Sequence, residues 1–139
     1  MTAPETRSAT GCARLSRLWQ AGTALLGCRV ALLGGAMTWV SERNLVSAIS
    51  NAGGFGVLAC GAMSPDQLAS EIEATRALTE RPFGVNLIVM HPKLALLVEV
   101  CLSQAVGHVV LAGGLPPRAT MTQVKDGGAR LLCFAPSLG

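Results

Sequence analysis

The sequence predicts an α/β chain built around about five parallel strands, and three observations predict it. Short apolar runs alternate with amphipathic segments of helical length, which is the order of βα units. These runs begin near residues 29, 56, 83, 108 and 129, a recurrence of about 21 to 27 residues. They are nearly continuous in apolar character rather than alternating, as expected of parallel strands covered on both faces.

The composition fits such a chain. Half of the 139 residues are hydrophobic, 14% are charged and mean hydropathy is +0.48. A disordered chain is poor in apolar residues and rich in charge, so disorder is excluded as the dominant state. Sixteen glycines and seven prolines supply turns but show no Gly-X-Y period. The chain has no Tyr, two Trp and three Phe, too few for a base-stacking platform. Its net charge of +3, from 11 basic and 8 acidic residues, is not gathered into a phosphate-binding stripe. No nucleic-acid partner is expected. The five cysteines, Cys12, Cys28, Cys60, Cys101 and Cys133, are odd in number and contain no C-x-x-C pair. They read as free thiols of a reducing compartment, which makes a cytoplasmic location the expectation.

Residues 1–24 read as a leader, poorly ordered or partly helical, with Arg7, Arg14 and Arg17 against Glu5. They have some flavour of a transit peptide, but no long apolar h-region directly follows. Residues 21–40 are apolar, yet Arg29 lies mid-stretch and Gly34-Gly35 breaks the second half. A central charge costs a few kcal/mol in a bilayer, so no membrane span is expected.

The first strand is expected over residues 29–33, ending in Gly34-Gly35-Ala36-Met37. A helix over residues 41–51 follows, with Ser41 as its N-cap. It turns Leu45, Val46, Ala48 and Ile49 inward and Glu42, Arg43 and Asn44 outward. Gly53-Gly54 then stops that helix through a left-handed residue, and residues 56–59 form strand two. Ser64-Pro65-Asp66-Gln67 is a capping box with proline at the first helical position. Its helix continues through Leu68, Ile72, Thr75 and Leu78. Strand three covers residues 83–87, and His91-Pro92 opens a helix with Leu94, Leu97, Val98 and Cys101 inward. Strand four covers residues 108–111 and ends in Ala112-Gly113-Gly114. A helix near residues 119–125 and a strand over 129–134 complete the series. An eight-stranded βα barrel takes roughly 250 residues. These residues therefore suit either an open sheet or about the N-terminal half of a barrel, with its last strand uncovered.

The glycine turns differ in polarity. Residues 51–56 run from helix into strand, the wrong order for a phosphate cradle, and the pattern is not G-x-G-x-x-G. Gly34-Gly35-Ala36-Met37 and Ala112-Gly113-Gly114 run from strand into loop. There, small residues suit either a plain βα turn or the approach of a flat ligand. Asn86 is a carboxamide at the end of an apolar strand, and it reads as a ligand contact or as a loop-bonding residue. His91 reads as a solvated helix-start residue and His108 as structural. No Ser–His–Asp set, paired carboxylates or metal-spaced cluster can be assembled.

An ordered series of segments carries a family resemblance. It consists of Gly35-Ala36-Met37-Thr38-Trp39-Val40, then Leu45, Val46 and Ala48, then Ser50-Asn51-Ala52-Gly53-Gly54-Phe55-Gly56. Met63-Ser64-Pro65, Arg81-Pro82-Phe83-Gly84-Val85-Asn86-Leu87 and Ala135-Pro136-Ser137 continue it. The series resembles the opening of the nitronate monooxygenase family, also called 2-nitropropane dioxygenase. It is also similar to the flavin-dependent enoyl-[acyl-carrier-protein] reductases, and it covers residues 25–139.

The resemblance implies that these residues are an incomplete FMN-binding (β/α)8 TIM barrel, its N-terminal half, with four helices. The implied activity is oxidation of alkyl nitronates or nitroalkanes with O2; enoyl reduction is the alternative. Gly35, Ala36 and Met37 would line the flavin ring, Asn86 would bond it, and Gly113 and Gly114 would lie near it. Ala31, Gly34 and Ala36 stand where the family commonly has Pro, Gln and a second Gly. The family's Gly-Gly-His segment has no match here, so no catalytic residue is carried over. A third expectation is an inactive half-barrel that acts by associating with another chain through an uncovered sheet edge. Alone, it is expected not to retain FMN.

Overall fold

The structure is a computed structural model that describes the backbone of residues 9–134 and side chains from residue 13 onward. The Ala135-Pro136-Ser137 segment lies outside the described residues.

Five strands form one sheet in the order β1-β2-β3-β4-β5, and every neighbouring pair is parallel. They are β1 (Leu33–Gly34), β2 (Phe55–Ala59), β3 (Phe83–Ile88), β4 (His108–Ala112) and β5 (Arg130–Cys133). The helices are α1 (Ala9–Leu26), α2 (Arg43–Asn51), α3 (Pro65–Leu78), α4 (Leu94–Ser103) and α5 (Arg118–Asp126). The order never reverses, so each right-handed crossover lays its helix on the same side of the sheet. A doubly wound sheet would reverse at a switch point. Among the described residues the architecture is therefore a half-barrel, matching the N-terminal half of a TIM barrel. A fifth helix, α1, accompanies the four expected.

Two cores follow from the period-two alternation of the strands. On the outer face Leu58, Val85, Leu87, Val109 and Leu111 pack against Val46 of α2, Leu68 and Ile72 of α3, Leu97 and Val98 of α4 and Val124 of α5. On the concave face Phe55, Val57 and Val110 cluster with Leu26 at the end of α1, and Cys28, Ala36 and Leu132 pack beside them. The concave side is thus lined at its N-terminal end by α1. His108 Nε2 meets the Leu25 carbonyl at 2.8 Å, and Arg130 Nη1 donates to the carbonyls of Ala24 and Leu25.

Several local expectations are corrected. The first strand is shorter than residues 29–33, because those residues serve another element. Arg29 Nη2 donates to the Ala52 carbonyl at 2.7 Å and Val30 N donates to Gly53 O, so the segment secures the end of α2. Glu42, not Ser41, caps α2: its carboxylate accepts from the amides of Asn44 and Leu45. The buried positions of α2 are Val46, Ser47 and Ser50 rather than an all-apolar stripe. Ala48 is exposed, and Arg43 pairs with Glu71 instead of facing water alone. Leu78 is exposed, and α4 begins at Leu94 because His91 and Pro92 form the preceding turn, where His91 Nδ1 accepts from Lys93 N. The α3 capping box forms as read, with Ser64 and Gln67 bonding each other's backbone. Gly53 ends α2 at φ +97°, the left-handed stop expected of it.

Candidate functional site at the strand ends

In parallel α/β architectures, ligands bind beyond the carboxyl ends of the strands. The six residues singled out from the sequence all lie at that end. Gly35, Ala36 and Met37 follow β1, Asn86 lies near the end of β3, and Gly113 and Gly114 follow β4.

Ser41 fixes the turn after β1. Its hydroxyl donates to Gly35 O at 3.0 Å and accepts from Met37 N at 2.9 Å. The amides of Val40 and Ser41 both return to Met37 O. This turn holds Trp39 at φ 68°, an uncommon conformation for a bulky side chain, and leaves its indole 88% exposed. A side chain added at Gly35 would meet nothing within 4 Å, so the backbone there is open to close approach. Ala36 belongs to the concave cluster, and Met37 is exposed.

Asn86 is half-buried, with Nδ2 donating to Val110 O at 3.2 Å. Its partner is thus the neighbouring strand's backbone rather than a loop. Val110 belongs to the concave cluster, which puts the carboxamide on that face. The side-chain oxygen has no partner among the described residues, leaving an acceptor at the strand end. Gly113 and Gly114 have φ of +86° and +150° and approach Ile88 and Val89, so the loop after β4 leans towards the end of β3.

The two histidines lie at opposite ends of the sheet. His91 bonds its own turn, and His108 sits at the opposite end of the sheet, against Phe55 in an edge-to-face contact with ring centroids 4.8 Å apart. Burial lowers its pKa, the bond to Leu25 opposes that shift, and the Arg130 charge adds to it. Burial also pushes the thiols of Cys60 and Cys101 up to about 11 and about 12, which leaves both protonated and unreactive at neutral pH. Among the described residues no group of His, Cys, Asp and Glu could hold a metal ion, and no helix is long and apolar enough to cross a membrane.

One feature escaped the sequence reading. A groove of about 590 Å³ opens between the N-terminal turns of α2 and α3, beside the end of β2. Its floor carries a buried Glu71, whose carboxylate accepts from the amide, Nε and Nη2 of Arg43. The sequence signal was present: Glu71 falls beside Leu68, Ile72 and Thr75 on the buried side of α3, where an acidic residue needs a partner.

Comparison with known proteins agrees with the fold. A nitronate monooxygenase family model matches residues 20–107. A Mycobacterium tuberculosis protein named (3aS,4S,5R,7aS)-5-hydroxy-7a-methyl-1-oxo-octahydro-1H-indene-4-carboxyl-CoA dehydrogenase is 34% identical, over 84% of this chain and 32% of its own length. A nitronate monooxygenase of Paraburkholderia phytofirmans is 37% identical, over 67% of this chain and 26% of its own length. Among solved structures, FabK from Thermotoga maritima superposes with a TM-score of 0.81 at 35% identity, covering 84% of this chain and 37% of FabK. Nitroalkane oxidase from Streptomyces ansochromogenes gives 0.73 at 26% identity, covering 83% of this chain and 42% of that protein. The chain thus spans about a third or less of the length of these curated relatives. With a family model covering more than half of its residues, the chain belongs to the nitronate monooxygenase family.

Proposed function

We propose that these residues form the ring-facing part of an FMN-dependent oxidoreductase of the nitronate monooxygenase type, with an alkyl nitronate or nitroalkane as substrate. The observation that carries this reading is the convergence of an open glycine backbone, a half-buried carboxamide and two left-handed glycines at the ends of β1, β3 and β4. A flat heteroaromatic ring fits there. Gly35 allows the backbone to approach it, Ala36 and Met37 offer apolar contact, and the Asn86 side-chain oxygen accepts a hydrogen bond from a ring N–H. Flavin, when bound, supplies the redox centre; the protein's part is to hold and orient it. The N-termini of α2 and α3 carry their own side-chain caps, whereas those of α4 and α5, which follow β3 and β4, carry none.

The test is a titration of the chain with FMN, read by quenching of flavin fluorescence. Binding too weak to survive gel filtration is expected, and Asn86→Ala is expected to weaken it about 5- to 10-fold, the loss of one hydrogen bond. Unchanged affinity in that variant would remove Asn86 from the site.

A second reading, redox chemistry on a thioester, is favoured by the extent of the match to the carboxyl-CoA dehydrogenase. Oxygen uptake with a nitronate, set against flavin reduction with a CoA thioester, separates the two readings. A third reading is association through the sheet edges, supported by the exposed Leu33 on β1 and Phe134 beside β5.

A further inference from the structure

The groove between α2 and α3 contains none of the residues assigned to the flavin. Its volume of about 590 Å³ lies within the range of small-molecule sites, roughly 300 to 1,000 Å³. Trp39 and Met63 supply an apolar wall, and the Trp39 indole has no cover.

The electrostatics of the lining select the ligand. Two helix N-termini face the groove, an arrangement that ordinarily attracts anions. Both are already served from within the chain. The Glu42 carboxylate accepts from the amides of Asn44 and Leu45, and the Ser64 hydroxyl accepts from Gln67 N, with Asp66 in the same first turn. The lining then holds three carboxylates, Glu42, Asp66 and Glu71, against one guanidinium, Arg43. Arg43 is committed to Glu71 through a 2.6 Å ion pair and two further bonds from Nε. An anion would find filled amides and a spent guanidinium, whereas a cation finds the exposed Asp66 carboxylate, the negative charge of Glu42, whose oxygens already accept from Asn44 and Leu45, and an open indole face.

We propose that this groove binds an organic cation, an ammonium or quaternary ammonium group on a small apolar body. The charge lies towards Asp66 and Glu42, and the body lies against Trp39 and Met63. The assignment is independent of flavin binding, because it rests on different residues.

Three probes of one shape and different charge test it: choline, its neutral carbon isostere 3,3-dimethyl-1-butanol, and the anion 3,3-dimethylbutanoate. Each is titrated into the full chain while the Trp39 indole N–H resonance is followed by NMR, with its assignment fixed by its loss in Trp39→Gly. Glycine suits the left-handed backbone there, so this variant keeps the fold. Choline is expected to saturate and to bind about tenfold more tightly than the alcohol, with no saturable binding of the butanoate. Asp66→Asn, a surface change, is expected to weaken choline about threefold or more and to leave the alcohol unchanged. Choline binding is read in Trp39→Gly from the probe's own methyl signal, where it is expected to weaken. Equal binding of cation and alcohol, tighter binding of the anion, or no saturable shift with choline would overturn the proposal.

Discussion

At the scale of single residues, close approach and burial decide most of what can be changed. Gly56 passes directly over α2: a side-chain carbon there would overlap the Val46 carbonyl oxygen and lie 2.9 Å from Val46 Cα. Backbone cannot step aside as a side-chain tip can. Gly56→Ala is expected to cost about 1 to 3 kcal/mol, measured as a drop in the urea midpoint with unchanged slope. His108 makes stability depend on pH. Its Nε2–H donates to Leu25 O, a bond that the neutral ring already makes, and Arg130 donates to the same carbonyl. Burial lowers the pKa, so the folded state binds fewer protons than the unfolded chain. The His108 contribution is complete above the ordinary value of about 6.5. It declines as pH falls through that value towards the lower folded one. Urea midpoints are expected to fall between about pH 7.5 and 5.5. His108→Gln, which retains a donor but does not titrate, is expected to flatten that dependence; an equally steep fall in the variant would assign it elsewhere.

At the scale of elements, each helix is held by contacts that fix its ends. The capping box of α3 satisfies two backbone donors reciprocally, and Pro65 presets the first turn. Ser64→Ala is expected to cost about 1 kcal/mol by chemical denaturation, and Ser64→Asp to restore most of it. The end of α2 is fixed from outside, by Arg29 on Ala52 O and by Asn51 Nδ2 on Leu78 O, while Ser50 bridges Gly56 N and Pro82 O. The Ser50 bonds explain why α2 buries a serine there: its hydroxyl occupies a position where a methyl would leave strand and loop backbone unpaired. The capping box was legible because both of its partners lie within four residues. The Arg29, Ser50 and Glu71 roles were not, because their partners lie 23, 32 and 28 residues away.

At the scale of the whole molecule, the sheet has a covered middle and, among the described residues, open margins. Strand β2 is buried throughout, whereas no residue of β5 reaches full burial and β1 is two residues long. Parallel edges with exposed Leu33 and Phe134 offer unpaired backbone beside apolar side chains. The chain is therefore expected to self-associate with rising concentration in sedimentation velocity. Leu33→Lys with Phe134→Lys is expected to lower that association, since edge lysines oppose strand pairing. A wild-type chain that stays monomeric across the range would defeat the expectation. The leader expected over residues 1–24 overlaps α1 (Ala9–Leu26), whose end meets the concave face through Leu26. Of the helix's described leucines, Leu26 is buried, whereas Leu15, Leu18 and Leu25 are exposed.

The sequence by itself determined the α/β class, the parallel strands, the order of the units and the strand-end position of Gly35, Asn86 and Gly113. These follow from periodicity, local capping and turn chemistry, which act over a few residues. Only the tertiary structure decided the winding of the sheet, the partner of Asn86, the pairing of Arg43 with Glu71 and the groove above it. Each of those depends on which distant segments meet, and that is set by packing two cores at once rather than by any local preference of the chain.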